Sequence, residues 1–179
     1  MRIFILIIVA FMLVTSSHLT NATEGTTVRP ALLKALDGHW TMVGDVMGKS
    51  VQYDMEAFPT LQGTFTEMHM SDVHRPSQYE ARVFIGVDKS GQVIVHWLDS
   101  FGASYSVPHG TGAITGDTIV FNFPYPSGQF RDTLTYRPTQ QSWTLLIEAA
   151  KPDGSWTHFA GYDIRGKPAS TDNSSKLTH

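Results

Sequence analysis

From His39 onward, apolar and polar residues alternate with a period of two in a series of short runs. This period indicates strands with one buried and one solvated face, because successive side chains of a strand point to opposite sides. The apolar faces of the clearest runs extend over Val51–Ala57, Tyr79–Val87, Ile119–Phe123, Trp143–Ala149 and Trp156–Ile164. Turn signals rich in Gly and Pro, such as Asp88–Gly91 and Pro152–Gly154, separate the runs. The pattern predicts nine or ten strands.

Strands joined by short turns, with no convincing helix between them, are typical of a sandwich or a barrel. Such a meander closes most simply as an up-and-down barrel, which leaves no unpaired edge. Before the first strand, Ala31–Leu36 predicts one or two helical turns that end near Asp37 and Gly38. We therefore predict an all-β fold class, a single antiparallel up-and-down β-barrel of about ten strands with a short N-terminal helix.

The first residues have the order of a secretory signal peptide. Met1 and Arg2 are followed by an unbroken apolar run, Ile3–Val14, and then by small and polar residues up to Ala22. Twelve apolar residues fall short of the roughly 20 that a membrane-spanning helix needs. We expect a secreted or periplasmic protein with no stable membrane anchor after cleavage. The predicted organisation is a signal peptide at 1–22, a linker at 23–30, the barrel domain at 31–166 and a disordered polar tail at 167–179.

The composition of the chain argues against several classes of function. The net charge of the 179 residues is -3 and the 13 basic residues are scattered, so we expect no nucleic-acid partner. The chain has no cysteine, which excludes disulfides, thiol nucleophiles and cysteine-based metal sites. The core must then carry the stability of the exported protein.

Two short motifs at the ends of the predicted barrel carry a family resemblance. A G-x-W motif, Gly38–Trp40, stands just before the first strand, and Arg165 stands near the end of the last. This arrangement resembles the calycins, the lipocalin-like barrels. The resemblance implies that Trp40 packs under the Arg165 guanidinium and closes one end of the barrel, a structural role.

Further motifs are similar to those of a large, mostly bacterial calycin-like family of unknown function. They are Gly86–Asp88, Val95–Gly102 and the G-x-x-x-G-D stretch Gly112–Asp117. Together with the G-x-W motif, they extend the resemblance over nearly all of the predicted domain. This resemblance implies a barrel fold and leaves the function open.

Glu67 and His69 allow two readings. Strict alternation from Phe65 carries both onto the inner face, where a carboxylate beside an imidazole could mark a ligand-binding interior. A bulge or an early strand end near Thr66 turns Met68 and its neighbour Met70 inward instead, because a slip of one residue reverses every assignment.

Trp97 and Asp99 end a predicted strand and could orient a ligand at the mouth of the barrel. Asp99 and Ser100 are also residues that turns favour, and a turn is the preferred interpretation. A Ser–His–Asp triad with His96 is disfavoured, because neighbours on one strand point to opposite faces.

The spacing His69-x-x-Asp72-x-His74 contains ligands that suit a divalent metal. The stretch from Met70 to Pro76 resembles a solvated loop, and no partner that would orient the ligands can be named. We expect a loop here and no metal site.

His158 lies in the same alternating phase as Trp156, Tyr162 and Ile164, which predicts that it faces the barrel interior. In the nitrobindins, a related ten-stranded family, a histidine near the corresponding strand ligates haem iron. A distant resemblance to them implies haem at His158 as one alternative. The rest of the nitrobindin pattern is absent, and a core or rim histidine is the competing interpretation.

We expect a binding module for a small, largely apolar molecule, with no cofactor, rather than an enzyme. One alternative is a haem-binding or enzymatic barrel centred on His158. Another is an envelope protein with a packed barrel that acts through protein partners. The candidate ligand-binding residues are Glu67, His69, Trp97, Asp99, His158 and Tyr162.

Overall fold

A computed structural model describes residues 29–167. The predicted signal peptide at 1–22, most of the linker at 23–30 and nearly all of the tail at 167–179 lie outside the described residues. One helix, α1, spans Ala31–Ala35. The ten strands are β1 Gly38–Val46, β2 Lys49–Thr60, β3 Phe65–Asp72, β4 Glu80–Val87, β5 Val93–Asp99, β6 Gly110–Thr115, β7 Thr118–Tyr125, β8 Gly128–Arg137, β9 Ser142–Ala150 and β10 Trp156–Gly166.

Each strand pairs antiparallel with its neighbour in sequence, and β1 pairs with β10 to close the barrel. The closing register runs from Trp40 opposite Gly166 to Val46 opposite Ala160. The predicted ten-stranded antiparallel barrel with one short N-terminal helix is therefore confirmed. No helix among residues 29–167 is long and apolar enough to span a bilayer.

The seam between β1 and β10 depends on a glycine. A Cβ added to Gly44 would lie 1.8 Å from the carbonyl oxygen of Gly161, a distance that no side chain can tolerate. By contrast, the nearest atom to a Cβ at Gly166 would be 3.9 Å away, which is an ordinary contact. The seam thus leaves no room for a side chain at Gly44.

Helix α1 closes one end of the barrel. Its apolar side chains Leu33 and Leu36 are fully buried, and they lie over the end where β1 begins. The indole Nε1 of Trp40 donates a hydrogen bond of 2.8 Å to the carbonyl of Leu36, which ties the helix to the first strand. We refer to this end as the closed end.

The arginine at the closed end is not the one that the calycin resemblance implied. Trp40 pairs with Gly166, so Arg165 lies one residue out of phase and projects from the outer face. Arg29, which precedes α1, takes the buried position instead. Its guanidinium donates to both carboxylate oxygens of Asp37 and, over 2.9 Å, to the hydroxyl of the buried Thr66.

The closed half of the barrel is filled by side chains. The largest of its inward residues, among them Met42, Met68, Leu134, Trp143 and Ile164, are at most 2% exposed. A void large enough for water would leave accessible surface on the side chains around it. The core of this half is therefore filled, with no water-sized void beside these side chains.

Candidate functional site at the aromatic end of the barrel

The end of the barrel opposite α1 is aromatic and partly exposed to solvent. Because the strands are antiparallel, it collects the last residues of β1, β3, β5, β7 and β9 and the first residues of the strands that follow each of them. We call this end the mouth, and define it by its inward side chains: Tyr53, Asp72, Tyr79, Trp97, Asp99, Phe123, Tyr125, Phe130, Asp132, Phe159 and Tyr162. Several of these are partly exposed, in contrast to the filled closed half.

On one side of the mouth, aromatic rings form a continuous series that we call the tyrosine row. Ring centroids are 5.9 Å apart between Tyr162 and Tyr53, 5.4 Å between Tyr53 and Tyr79, and 5.6 Å between Tyr79 and Phe101. Tyr105 follows Phe101 at 6.3 Å. The row therefore leads from the barrel interior to the loop between β5 and β6, where Phe101 is 68% exposed.

A second series, the phenylalanine row, lines the other side. Phe121, Phe123, Tyr125, Phe130 and Phe159 follow one another with centroid separations of 5.8, 5.7, 5.7 and 5.1 Å. Most of these contacts are edge-to-face, an arrangement that aromatic pairs favour. The two rows lie at the same end of the barrel.

Trp97 and Asp99, both named as candidates from the sequence, meet at the mouth through Tyr79. The Trp97 Nε1 donates to the Tyr79 hydroxyl over 3.3 Å, and that hydroxyl donates to Asp99 Oδ2 over 3.5 Å. Burial raises the pKa of Asp99, while hydrogen bonds from the Phe101 amide and Tyr79 oppose that rise. Burial likewise raises the pKa of Tyr79, so the hydroxyl remains a donor.

Asp132 lies beneath the phenylalanine row. It pairs across the sheet with Phe121 and with Ile147, one inward position below Phe130, and it is 2% exposed. Within residues 29–167 its Oδ1 has no hydrogen-bond partner. Burial raises the pKa of Asp132 well above its ordinary value, because the charged form loses its hydration. An unpaired buried carboxyl is rare enough to require an explanation.

Asp72 also faces inward, but residues of the loop before β4 provide hydrogen-bond donors to its carboxylate. Its carboxylate accepts hydrogen bonds from the backbone amides of His74 and Gln78 and from the His74 ring, and these bonds lower its pKa. The His69 ring is bonded to Glu80 at 2.7 Å instead of turning toward Asp72. Among residues 29–167, no three His, Asp or Glu side chains are arranged to hold a metal ion.

The structure agrees with the second interpretation of Glu67 and His69, in which Met68 and Met70 face the interior of the barrel. A short turn at Leu61–Gly63, with positive φ angles of 49° and 60° at its first two residues, interrupts the alternation before β3. Glu67 and His69 consequently lie on the outer face, where Glu67 pairs with Arg82. Neither is part of the mouth.

The expectation that His158 faces the interior is wrong. A β-bulge between His158 and Ala160 shifts the phase of β10, so Phe159 and Ala160 turn inward and His158 turns outward. Its ring is half exposed and bonded to Asp45 at 2.9 Å. This hydrogen bond is the main reason that the pKa of Asp45 is lowered. Tyr162, beyond the bulge, does face the interior.

The sequence reasoning missed four residues of the mouth that carry polar groups: Tyr53, Tyr79, Tyr125 and Asp132. For Asp132 the signal was present, because it falls between Phe130 and Leu134 in the inward phase of β8. A carboxylate in an apolar phase is the kind of exception that marks a site.

Two grooves lie on the outer face of the barrel. One, of about 290 Å³, is lined by Thr41, Val43, Asp163 and Arg165. The other, of about 230 Å³, includes His39, Glu56, His69 and Lys167 among its lining residues. Both are open to solvent and lack the aromatic lining of the mouth.

Comparisons with known proteins add information about the fold alone. No family model matches the chain, and no curated protein matches it. Among solved structures, the chain is similar to the crystal structure of Rv2717c from M. tuberculosis, with 14% identity and a TM-score of 0.51. The match covers 79% of this chain and 99% of that one. The chain thus shares a barrel fold with a mycobacterial protein.

Proposed function

We propose that the chain is a binding module whose mouth takes a small, largely apolar ligand. The observation that carries this proposal is the pair of aromatic rows at one partly exposed end of the barrel, which also has a few inward polar groups, Asp99 and Asp132 among them. Small-molecule sites are typically concave and apolar, with a small number of polar groups that orient the ligand. Barrels of about this size can hold one such molecule.

The ligand would sit in the mouth and not deep in the barrel. The closed half is filled by fully buried side chains such as Met68 and Trp143, whereas Trp97, Tyr79 and Phe130 retain accessible surface. A flat ring could therefore stack on these residues without displacing the core. We accordingly infer a shallow site for a molecule with at least one flat apolar face.

The same proposal includes export and calycin membership. The charged start and the apolar run Ile3–Val14 support secretion or periplasmic export, and the order of motifs supports the calycin class. N-terminal sequencing of the protein recovered from its own host tests the export proposal. A mature N-terminus near Thr23 would support it, and an intact Met1 would contradict it.

Native mass spectrometry of the exported protein tests the binding proposal. We expect the wild type to retain an added mass, and Trp97→Ala to lose it because one wall of the mouth is removed. Trp156→Ala is the matched control, since Trp156 lies on the outer face with Arg131 4.3 Å from its ring centroid. A bare polypeptide mass for the wild type, or loss in both variants, would contradict a site at the mouth.

A second candidate function is protein binding through the rim. Phe101, Tyr105 and Val107, all in the loop between β5 and β6, are each more than 60% exposed. Exposed apolar clusters of this kind often mark interaction sites. Substitution of Val107, which belongs to neither aromatic row, by serine should leave ligand binding by the mouth largely intact, whereas a protein-binding role would be weakened in pull-down from the exported fraction.

A further inference from the structure

The carboxyl of Asp132 has a position that the packing of the barrel does not explain. Its strand neighbours on the inner face, Phe130 and Leu134, are apolar, and so are its cross-strand partners Phe121 and Ile147. An aliphatic side chain would fill this position without the cost of burying a polar group. Asp132 is nevertheless buried, and its Oδ1 has no partner in the described part of the chain.

The surroundings of Asp132 have the chemistry that binds a positively charged nitrogen. In the register of β7 and β8, Phe123, Phe130 and Tyr125 lie nearer the mouth than this carboxyl. Phe159 packs against Phe130 with a centroid separation of 5.1 Å. Aromatic faces attract ammonium groups, and the attraction grows when water is excluded. A carboxylate at the base of such a ring cluster can accept a charge-assisted hydrogen bond from the same nitrogen.

A second inward carboxyl, that of Asp99, adds negative charge at the same end of the barrel. Burial raises the pKa of Tyr125, and the charges of Asp132 and Asp99, which both face inward at the mouth, raise it further. No lysine or arginine lies among the inward side chains of the mouth in residues 29–167. A ligand carrying a cation would therefore supply the missing partner, whereas an anionic ligand would be repelled.

We propose that Asp132 anchors the ligand of the mouth and that this ligand is an amine, with an apolar ring held by the aromatic rows and an ammonium group directed at the Asp132 carboxylate. The inference rests on the proposed function, since it assigns the chemical class of the molecule that the mouth would take. To reach Asp132, the ammonium group enters among the rings of the phenylalanine row.

Three probes with the same ring test this assignment: tryptamine, which carries an ammonium group; 3-ethylindole, which is neutral; and indole-3-propionate, which is an anion. Dissociation constants are measured by isothermal titration calorimetry with the mature wild type, with Asp132→Asn and with Asp163→Asn. Asp163→Asn is the matched control, because it removes a carboxylate from the outer face of β10.

We expect the wild type to bind tryptamine roughly 10-fold to 100-fold more tightly than 3-ethylindole, the range that a hydrogen bond to a charged group gives, and to bind indole-3-propionate most weakly. Asp132→Asn should abolish this preference and still bind 3-ethylindole, while Asp163→Asn should keep it. Near-UV circular dichroism checks that each variant is folded. Should Asp132→Asn fail to fold, Asp132→Leu is the second variant, because it keeps the volume and suits the apolar neighbours.

Two results would overturn the proposal and they differ in meaning. If 3-ethylindole binds but tryptamine gains nothing, or if the preference survives in Asp132→Asn, Asp132 is not the anchor although the mouth binds apolar molecules. If none of the three probes binds the wild type, the proposed function fails for ligands of this class together with the inference.

Discussion

Asp132 makes the stability of the barrel depend on pH in a direction that can be predicted. Burial raises its pKa in the folded state above the value of about 3.9 that an aspartate has in an unfolded chain. The folded chain therefore binds more protons between these two pKa values. Its stability is fully present below the unfolded pKa and falls as the pH rises toward the folded pKa.

The magnitude follows from the linkage relation. For one group, the free energy of unfolding falls by at most about 1.4 kcal/mol for each pH unit between the two pKa values, and then levels off. Asp132→Asn removes this titration while keeping nearly the same shape. The variant should thus be more stable than the wild type at neutral pH, and its advantage should grow as the pH is raised from about 4.

Urea unfolding followed by tryptophan fluorescence, at a series of pH values from 4.5 to 8.5, measures this difference. Asp163→Asn, which changes an exposed carboxylate on the outer face, controls for the loss of one charge. A difference between Asp132→Asn and wild type that is flat with pH would refute the reasoning. So would an asparagine variant that is less stable throughout, since this would mean that the Asp132 carboxylate is well satisfied in the folded state.

The remaining predictions concern the closed end, the seam and the mouth. Arg29→Ala should lower the free energy of unfolding by about 2–4 kcal/mol in urea unfolding, because it leaves the buried Thr66 hydroxyl and the partly buried Asp37 carboxylate without their partner. Gly44→Ala should cost roughly 2–3 kcal/mol by the same measurement, because the added methyl overlaps the backbone of β10. Tyr79→Phe removes a hydrogen bond that lowers the pKa of Asp99, so the carboxyl carbon-13 titration of Asp99 should move to higher pH.

Each of these predictions has a control. Arg165→Ala, at the outward arginine, should have a much smaller effect than the change at Arg29, and an equal or larger effect would restore the role that the calycin resemblance implied. Gly166→Ala has room for a methyl and should leave the seam stable. A titration of Asp99 that moves to lower pH in Tyr79→Phe would contradict the hydrogen-bond network.

The barrel could be predicted from the sequence because its signals are local. Alternation in runs such as Tyr79–Val87 and the turns between them determine the strands, and antiparallel neighbours in sequence leave few ways to pair. Tyr162 faces the interior as its phase in β10 predicted, and the candidates Trp97 and Asp99 face the interior too. Their role in binding stays a prediction.

The face of the sheet on which a side chain lies could not be predicted where the backbone departs from a regular strand. The turn at Leu61–Gly63 and the bulge at His158 each shift the alternation of inward and outward side chains by one residue. No single residue type in the sequence indicates either shift. Arg29 was missed for a different reason. It precedes the helix and reaches Thr66, 37 residues away in sequence, a contact that no periodicity encodes.

Amide chemical-shift mapping of the isotopically labelled mature protein, titrated with 3-ethylindole, tests the central claim most directly. We predict that the perturbed residues lie at the mouth, at Tyr79, Trp97 and Phe130, and that those of the closed end, such as Leu33, do not shift. Perturbations confined to the outer grooves, or none at saturating ligand, would contradict the claim that the aromatic mouth is the binding site.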